Sequence, residues 1–160
     1  MQIATLTELK RELGTYSDQD LIKIILRLAK HKKEVKELLH YLCFEAQDQD
    51  AYIAVIKEEV VEAFGEVPVA NMYRAKTRIR KILRTLNKYI RFSGEKATEA
   101  ELRIFFCQQL LESDLPFTHS RVLLNLYERQ VAAAAKAIDK LHPDLQYDFQ
   151  MDYQALVDAV

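Results

Sequence analysis

Arg74-Ala75-Lys76-Thr77-Arg78-Ile79-Arg80-Lys81-Ile82-Leu83-Arg84-Thr85-Leu86-Asn87-Lys88-Tyr89-Ile90-Arg91 is the stretch that decides the fold class. Advanced at about 100° per residue, Ala75, Ile79, Ile82, Leu83, Leu86 and Ile90 fall within an arc of about 100°, and every cation falls outside it. A strand, which turns its side chains to opposite faces at each step, would scatter the same set over both sides. The spacing therefore predicts one two-faced helix over 69–92. Its apolar stripe docks on a core and leaves a cationic face about 30 Å long, interspersed with Tyr73, Thr85 and Tyr89.

The same periodicity extends on both sides. Leu6, Leu9 and Leu13; Leu21, Ile24, Ile25 and Leu28; Val35, Leu38, Leu39 and Leu42; Ile53, Ile56, Val60 and Phe64; and Leu102, Phe105, Phe106 and Leu110 all recur at helical spacing. Gly14, Gly65 and Gly94 each follow such a run, and Pro68, Pro116 and Pro143 each precede one, as helix ends and beginnings favour. Ser17-x-x-Asp20 approximates a capping box, Thr98-x-x-Glu101 is a full one, and Asp144 is placed to cap the last segment. Eight helices follow, at 5–13, 17–31, 33–44, 48–64, 69–92, 98–113, 119–140 and 145–159. The fold class is all-α, one domain over 1–160, either a multi-helical bundle or a short stack of antiparallel helix pairs. An echo between the Ser17 and Thr98 segments, 81 residues apart, fades after one helix.

With 160 residues, 49% of them apolar and 29% charged, and only three Gly and three Pro, the chain has the composition of a packed globule. Its net charge of −1 gives no whole-molecule attraction to nucleic acid or anionic membrane, so any such affinity must be local. The charge is unevenly spread: −4 over residues 1–66, +8 between Glu66 and Glu95, and −5 over 95–160. Cys43 and Cys107 both sit in apolar helical patterns and read as small buried hydrophobes, which suits a reducing compartment. The start Met1-Gln2-Ile3-Ala4-Thr5-Leu6 lacks the basic and apolar regions of a secretory signal, and no segment approaches about 18 uninterrupted apolar residues. A cytoplasmic protein without a membrane role is the expectation.

The cationic face is the candidate site. Arg74, Arg78, Lys81, Arg84, Lys88 and Arg91 would bind phosphates or an acidic partner, as basic stripes do on nucleic-acid-binding proteins. The competing reading is a solvated face, or one neutralised by Glu58, Glu59, Glu62 and Glu66 of the acidic helix 48–64. A membrane-surface role would need the apolar stripe that the core requires.

Motifs with chemical content are sparse. His142-Pro143-Asp144 resembles the signature loop of J-domain cochaperones, but the match ends at the tripeptide, because the preceding helix lacks a basic face and the following one starts too soon. A structural account is complete: His142 near a helix C-terminus, Pro143 as terminator, Asp144 as N-cap. Glu37-x-x-His40 has the spacing of a di-iron ligand pair, yet such sites need two copies and no second one exists. Asp48-Gln49-Asp50 begins like a calcium loop but has Ile53 where the sixth-position Gly is required, and reads as a helix N-terminus. No Gly-rich phosphate loop, nucleophile elbow or activated cysteine is present, so no catalytic residue, cofactor or metal ligand is assigned. In the tail, Tyr147, Met151 and Tyr153 are candidate partner contacts wherever they stay exposed.

Leu9-Lys10-x-x-Leu13, Ser17-x-x-Asp20-Leu21-Ile22-x-x-Ile25-x-x-Leu28 and Lys33-Glu34-Val35-Lys36-Glu37-Leu38-Leu39 resemble an uncharacterised bacterial family of small all-helical proteins over residues 5–45. The resemblance implies a bacterial cytosolic protein and carries no site residues. The expected function is a noncatalytic helical module that binds a protein partner, with homo-oligomerisation open. Nucleic-acid binding through the basic helix 73–91 is the alternative.

Overall fold

The computed structural model describes residues 2–160, and among them there are eight α-helices and no strand. These are α1 (Leu6–Leu13), α2 (Asp18–His31), α3 (Lys33–His40), α4 (Gln49–Gly65), α5 (Met72–Ser93), α6 (Lys96–Glu112), α7 (Arg121–Ile138) and α8 (Pro143–Asp158). The all-α expectation and the order of the helices hold. The expected helix 33–44 is an α-helix only to His40, after which the turn widens into a π-helical segment, Tyr41–Glu45. A short 3₁₀ turn, Phe117–His119, precedes α7.

Where the sequence suggests one domain, backbone proximity groups the chain into two compact units, Met1–Phe44 and Glu45–Val160. In the first, Thr5 and Glu8 form a capping box for α1, so Thr5 precedes the helix it was expected to begin. The Ser17 hydroxyl accepts from the Asp20 N–H at 3.2 Å, as read from the sequence. One extended residue, Lys32, ends α2 and starts α3, and these two helices pack on each other. Only Ala29 and Tyr41 are buried among the described residues of this unit.

The second unit is built around α6, which packs against α4, α5, α7 and α8. Leu102, Ile104, Phe106, Cys107 and Leu110 are buried, and no residue from Glu101 to Leu110 is fully exposed. A helix apolar on nearly every side belongs in the middle of a bundle. The Phe64 and Phe106 rings meet edge to face at 5.5 Å between α4 and α6, and the Tyr127 hydroxyl of α7 donates to the Leu156 carbonyl of α8 at 2.8 Å.

Several local expectations need correction. Thr98 does not cap α6: Glu95 takes the N-cap position, and Thr98 lies buried one turn in, its hydroxyl donating to Gln49 Oε1 at 3.0 Å. The echo with the Ser17 segment loses its basis, since only Ser17 caps. His142, not Asp144, is the N-cap of α8, its Nδ1 accepting from the Asp144 N–H at 3.4 Å with Pro143 in the first turn. The helix N-terminus expected at Asp48 is found there, and Asp48 caps α4, its carboxylate accepting from the Ala51 N–H at 2.9 Å.

The two cysteines part company. Cys107 is buried, and burial pushes its thiol up to about 12 against a slight downward pull from Arg103. Cys43, expected to be buried, is exposed. Since the thiolate is the reactive form, a thiol reagent at pH 8 should modify one cysteine per native chain and two after denaturation. Mass mapping should place the first label on Cys43; rapid native labelling of Cys107 would contradict the core as described.

Candidate functional site

The cationic face is oriented by its apolar opposite. Ala75, Ile79, Ile82, Leu86 and Ile90 of α5 are buried, Leu83 is half-buried, and Phe92 joins the core at the C-terminal end. The Asn71 side chain accepts from the Arg74 N–H at 3.1 Å to start α5. Gly94, with φ +68°, ends it in the left-handed conformation that glycine adopts without steric cost.

A polar cluster, half-buried except for the buried Gln130, fixes the rotation of α5 further. Arg103 of α6 donates twice to Glu99 Oε1, at 3.0 and 2.9 Å, and reaches Asn87 Oδ1 of α5 at 3.1 Å and Gln130 Oε1 of α7 at 2.6 Å. Burial works to raise the Glu99 pKa, but hydrogen bonds and attraction from Lys96 and Arg103 outweigh it and hold the carboxyl below its ordinary value. Sequence reasoning missed this hub. Glu99 and Arg103 show the i, i+4 spacing, while Asn87 and Gln130 carry no local signal.

The acidic helix neutralises only part of the face. Arg78 pairs with Glu66, and the Tyr89 hydroxyl donates to Glu59 at 2.8 Å. Glu58 and Glu62 are exposed about half a helical turn away from the buried Val60 and point elsewhere. Between α4 and α5 lies a half-open cavity of about 210 Å³, with Val60, Ala63, Ile82 and Leu86 at its floor and Glu59, Glu66, Arg78 and Lys81 at its rim. The Lys88 ammonium sits over the Tyr89 ring at 5.0 Å and the Phe92 ring at 6.0 Å.

The six candidate cations thus separate. Arg78 is committed to Glu66 and Lys88 to aromatic rings, whereas Arg74, Lys81 and Arg84 are exposed and make no ion pair among the described residues; Arg91 is also exposed. Arg80, which was not in the candidate set, is exposed and unpaired as well, and about 100° per residue brings it beside Arg84 one turn on. Like charges at this spacing cost about 0.2–0.5 kcal/mol per pair, a cost that a bound anion would offset.

Elsewhere, the His40 ring of the Glu37-x-x-His40 pair packs against Phe44 at 5.1 Å. Among the described residues no group of three or more His, Cys, Asp or Glu is placed to hold a metal ion. No helix of the described residues is long and apolar enough to cross a membrane. Of the tail candidates, Tyr147 and Met151 are exposed and Tyr153 is half-buried. Compared with protein-family models, with curated proteins and with solved structures, the chain matches none of them.

Proposed function

We propose that the chain is a noncatalytic helical module that acts by binding a protein partner. The observation that carries this reading is the first unit, where Ile22, Ile25, Leu26 and Leu28 of α2 stand between 44% and 56% exposed, with Leu42 and Phe44 exposed beyond them. Contiguous apolar side chains left in water are unfavourable, and they mark surfaces that associate. The noncatalytic part rests on two groups of the second unit: half-buried Glu99 is tied to Arg103 and Lys96, and buried Cys107 is held as a thiol. An exposed, unpaired Cys43 suits a reducing cytoplasm.

The test is affinity capture at physiological salt from lysate split into nuclease-treated and untreated halves, using the wild type and the double variant Ile22→Asp/Leu26→Asp as baits. A protein that survives nuclease on the wild type and is absent from the variant is the expected result. Equal recovery on both baits would sink the reading.

A second reading is favoured by Arg74, Arg80, Lys81 and Arg84, whose guanidinium and ammonium groups stand unpaired along one exposed face of α5. Such a stripe suits the phosphates of a nucleic acid.

A further inference from the structure

We infer that the cavity between α4 and α5 binds a small organic acid, its apolar body seated in the cavity and its carboxylate held at the rim by Lys81. The inference goes beyond the α2 reading and does not depend on it.

The cavity is a gap in packing over an apolar floor. Folded interiors leave few voids larger than a water molecule, yet about 210 Å³ stands half-open over the buried side chains of Val60, Ile82 and Leu86. Ala63, three residues after Val60 on α4, leaves space that a longer side chain would fill. An apolar cavity of about 150 Å³ admits a benzene ring, so this one has room for a single aromatic ring.

The two helices are pinned on either side of the gap. Arg78 pairs with Glu66 near the loop that joins them, and the Tyr52 hydroxyl donates to the Tyr89 carbonyl at 3.0 Å toward the other end. The Tyr52 and Tyr89 rings also meet edge to face, 6.4 Å between centroids. A cleft braced in this way is pre-formed, so little ordering is left for a ligand to impose.

The rim decides the sign of the ligand. Glu66 and Arg78 hold each other, and Glu59 accepts the Tyr89 hydroxyl at 2.8 Å, whereas Lys81 is exposed and has no partner among the described residues. Thr85, half-buried and one turn on from Lys81, also lines the cavity, and its hydroxyl makes no hydrogen bond among the described residues. An ammonium and a hydroxyl one turn apart are two donors for one carboxylate. Arg84, one turn along, and Arg74, two turns back, stand exposed and unpaired on the same face as Lys81. Their summed field favours an anion against the single charge of Glu59.

The test titrates three probes that share one apolar body, 4-phenylbutyrate, 4-phenylbutyramide and 4-phenylbutylamine, into the full-length chain, with the Ile, Leu and Val methyl groups followed by NMR. The acid should shift the Val60, Ile82 and Leu86 methyls together and saturate them, with a Kd of about 1 mM or tighter. The amide should bind about fivefold more weakly, the most that one exposed ion pair supplies, and the amine more weakly still. Lys81→Gln should bring the acid down to the affinity of the amide. Arg80→Gln, which removes a charge from α5 outside the cavity lining, should change the affinity by less than about twofold. Ala63→Leu should abolish the shifts with helicity unchanged, since the added carbons have open space to enter. The inference is overturned if these methyls show no saturable shift, if the amine binds as tightly as the acid, or if Lys81→Gln binds the acid at wild-type strength. Shifts confined to the Ile22 and Leu26 methyls of α2 would overturn it as well.

Discussion

Phe106→Ala is expected to destabilise the protein by about 3–5 kcal/mol, the usual cost of truncating a fully buried aromatic ring. Phe106 is 0% exposed on the helix that every other helix of the second unit contacts, and its ring meets Phe64 edge to face at 5.5 Å. The loss therefore combines hydrophobic transfer, the aromatic pair and a cavity between α4 and α6. Domains are stable by only about 5–15 kcal/mol, so a large share of the total is at stake. At about 2–4 °C per kcal/mol for a chain of this length, Tm should fall by about 10 °C. Val55→Ala, on a valine 54% exposed on the outer side of α4, should stay within about 0.5 kcal/mol. Urea and thermal denaturation of the two variants and the wild type check this. Equal stability for Phe106→Ala and Val55→Ala would mean that α6 is not the centre of the core.

The outcome would also bear on why some features could be read from sequence and others could not. α5 was legible almost to its ends because its buried set repeats at one period and Gly94 stops it. Ser17 was legible because its partner, the Asp20 N–H, lies three residues away. Thr98 was misread for the opposite reason: its partner is Gln49, on another helix 49 residues earlier, and a hydroxyl beside a helix start looks the same whichever group it serves. Arg103 looks like any surface cation until Asn87 and Gln130 arrive from α5 and α7. In the first unit the period of α2 was plain, but a period gives the direction of an apolar face and not what covers it. Cys43 reads as buried for a like reason, since it sits in the apolar run Leu42-Cys43-Phe44, and all three are exposed.

Pairing decides the cationic face in the same way, and there it changes which residues should be tested. Sequence alone made Arg78 a leading phosphate contact, yet it is already held by Glu66, while Arg80 stands unpaired. If Arg74, Arg80, Lys81 and Arg84 each meet a phosphate, binding to a DNA duplex should weaken about a hundredfold between 50 and 200 mM salt, from a slope of about −0.9 per phosphate neutralised. Fluorescence anisotropy with a labelled duplex reads this directly. Arg80→Glu/Arg84→Glu should lower the slope to about half or less, since two contacts are lost and two repulsions gained. Arg78→Ala should change little, because Glu66 occupies that guanidinium in the free protein. The affinity should also be indifferent to base sequence, as expected when contacts are made to the phosphate backbone and not to base edges. A flat salt response, or full affinity in the Arg80→Glu/Arg84→Glu variant, would remove the nucleic-acid reading and leave the face as solvated charge that balances the acidic segments on either side.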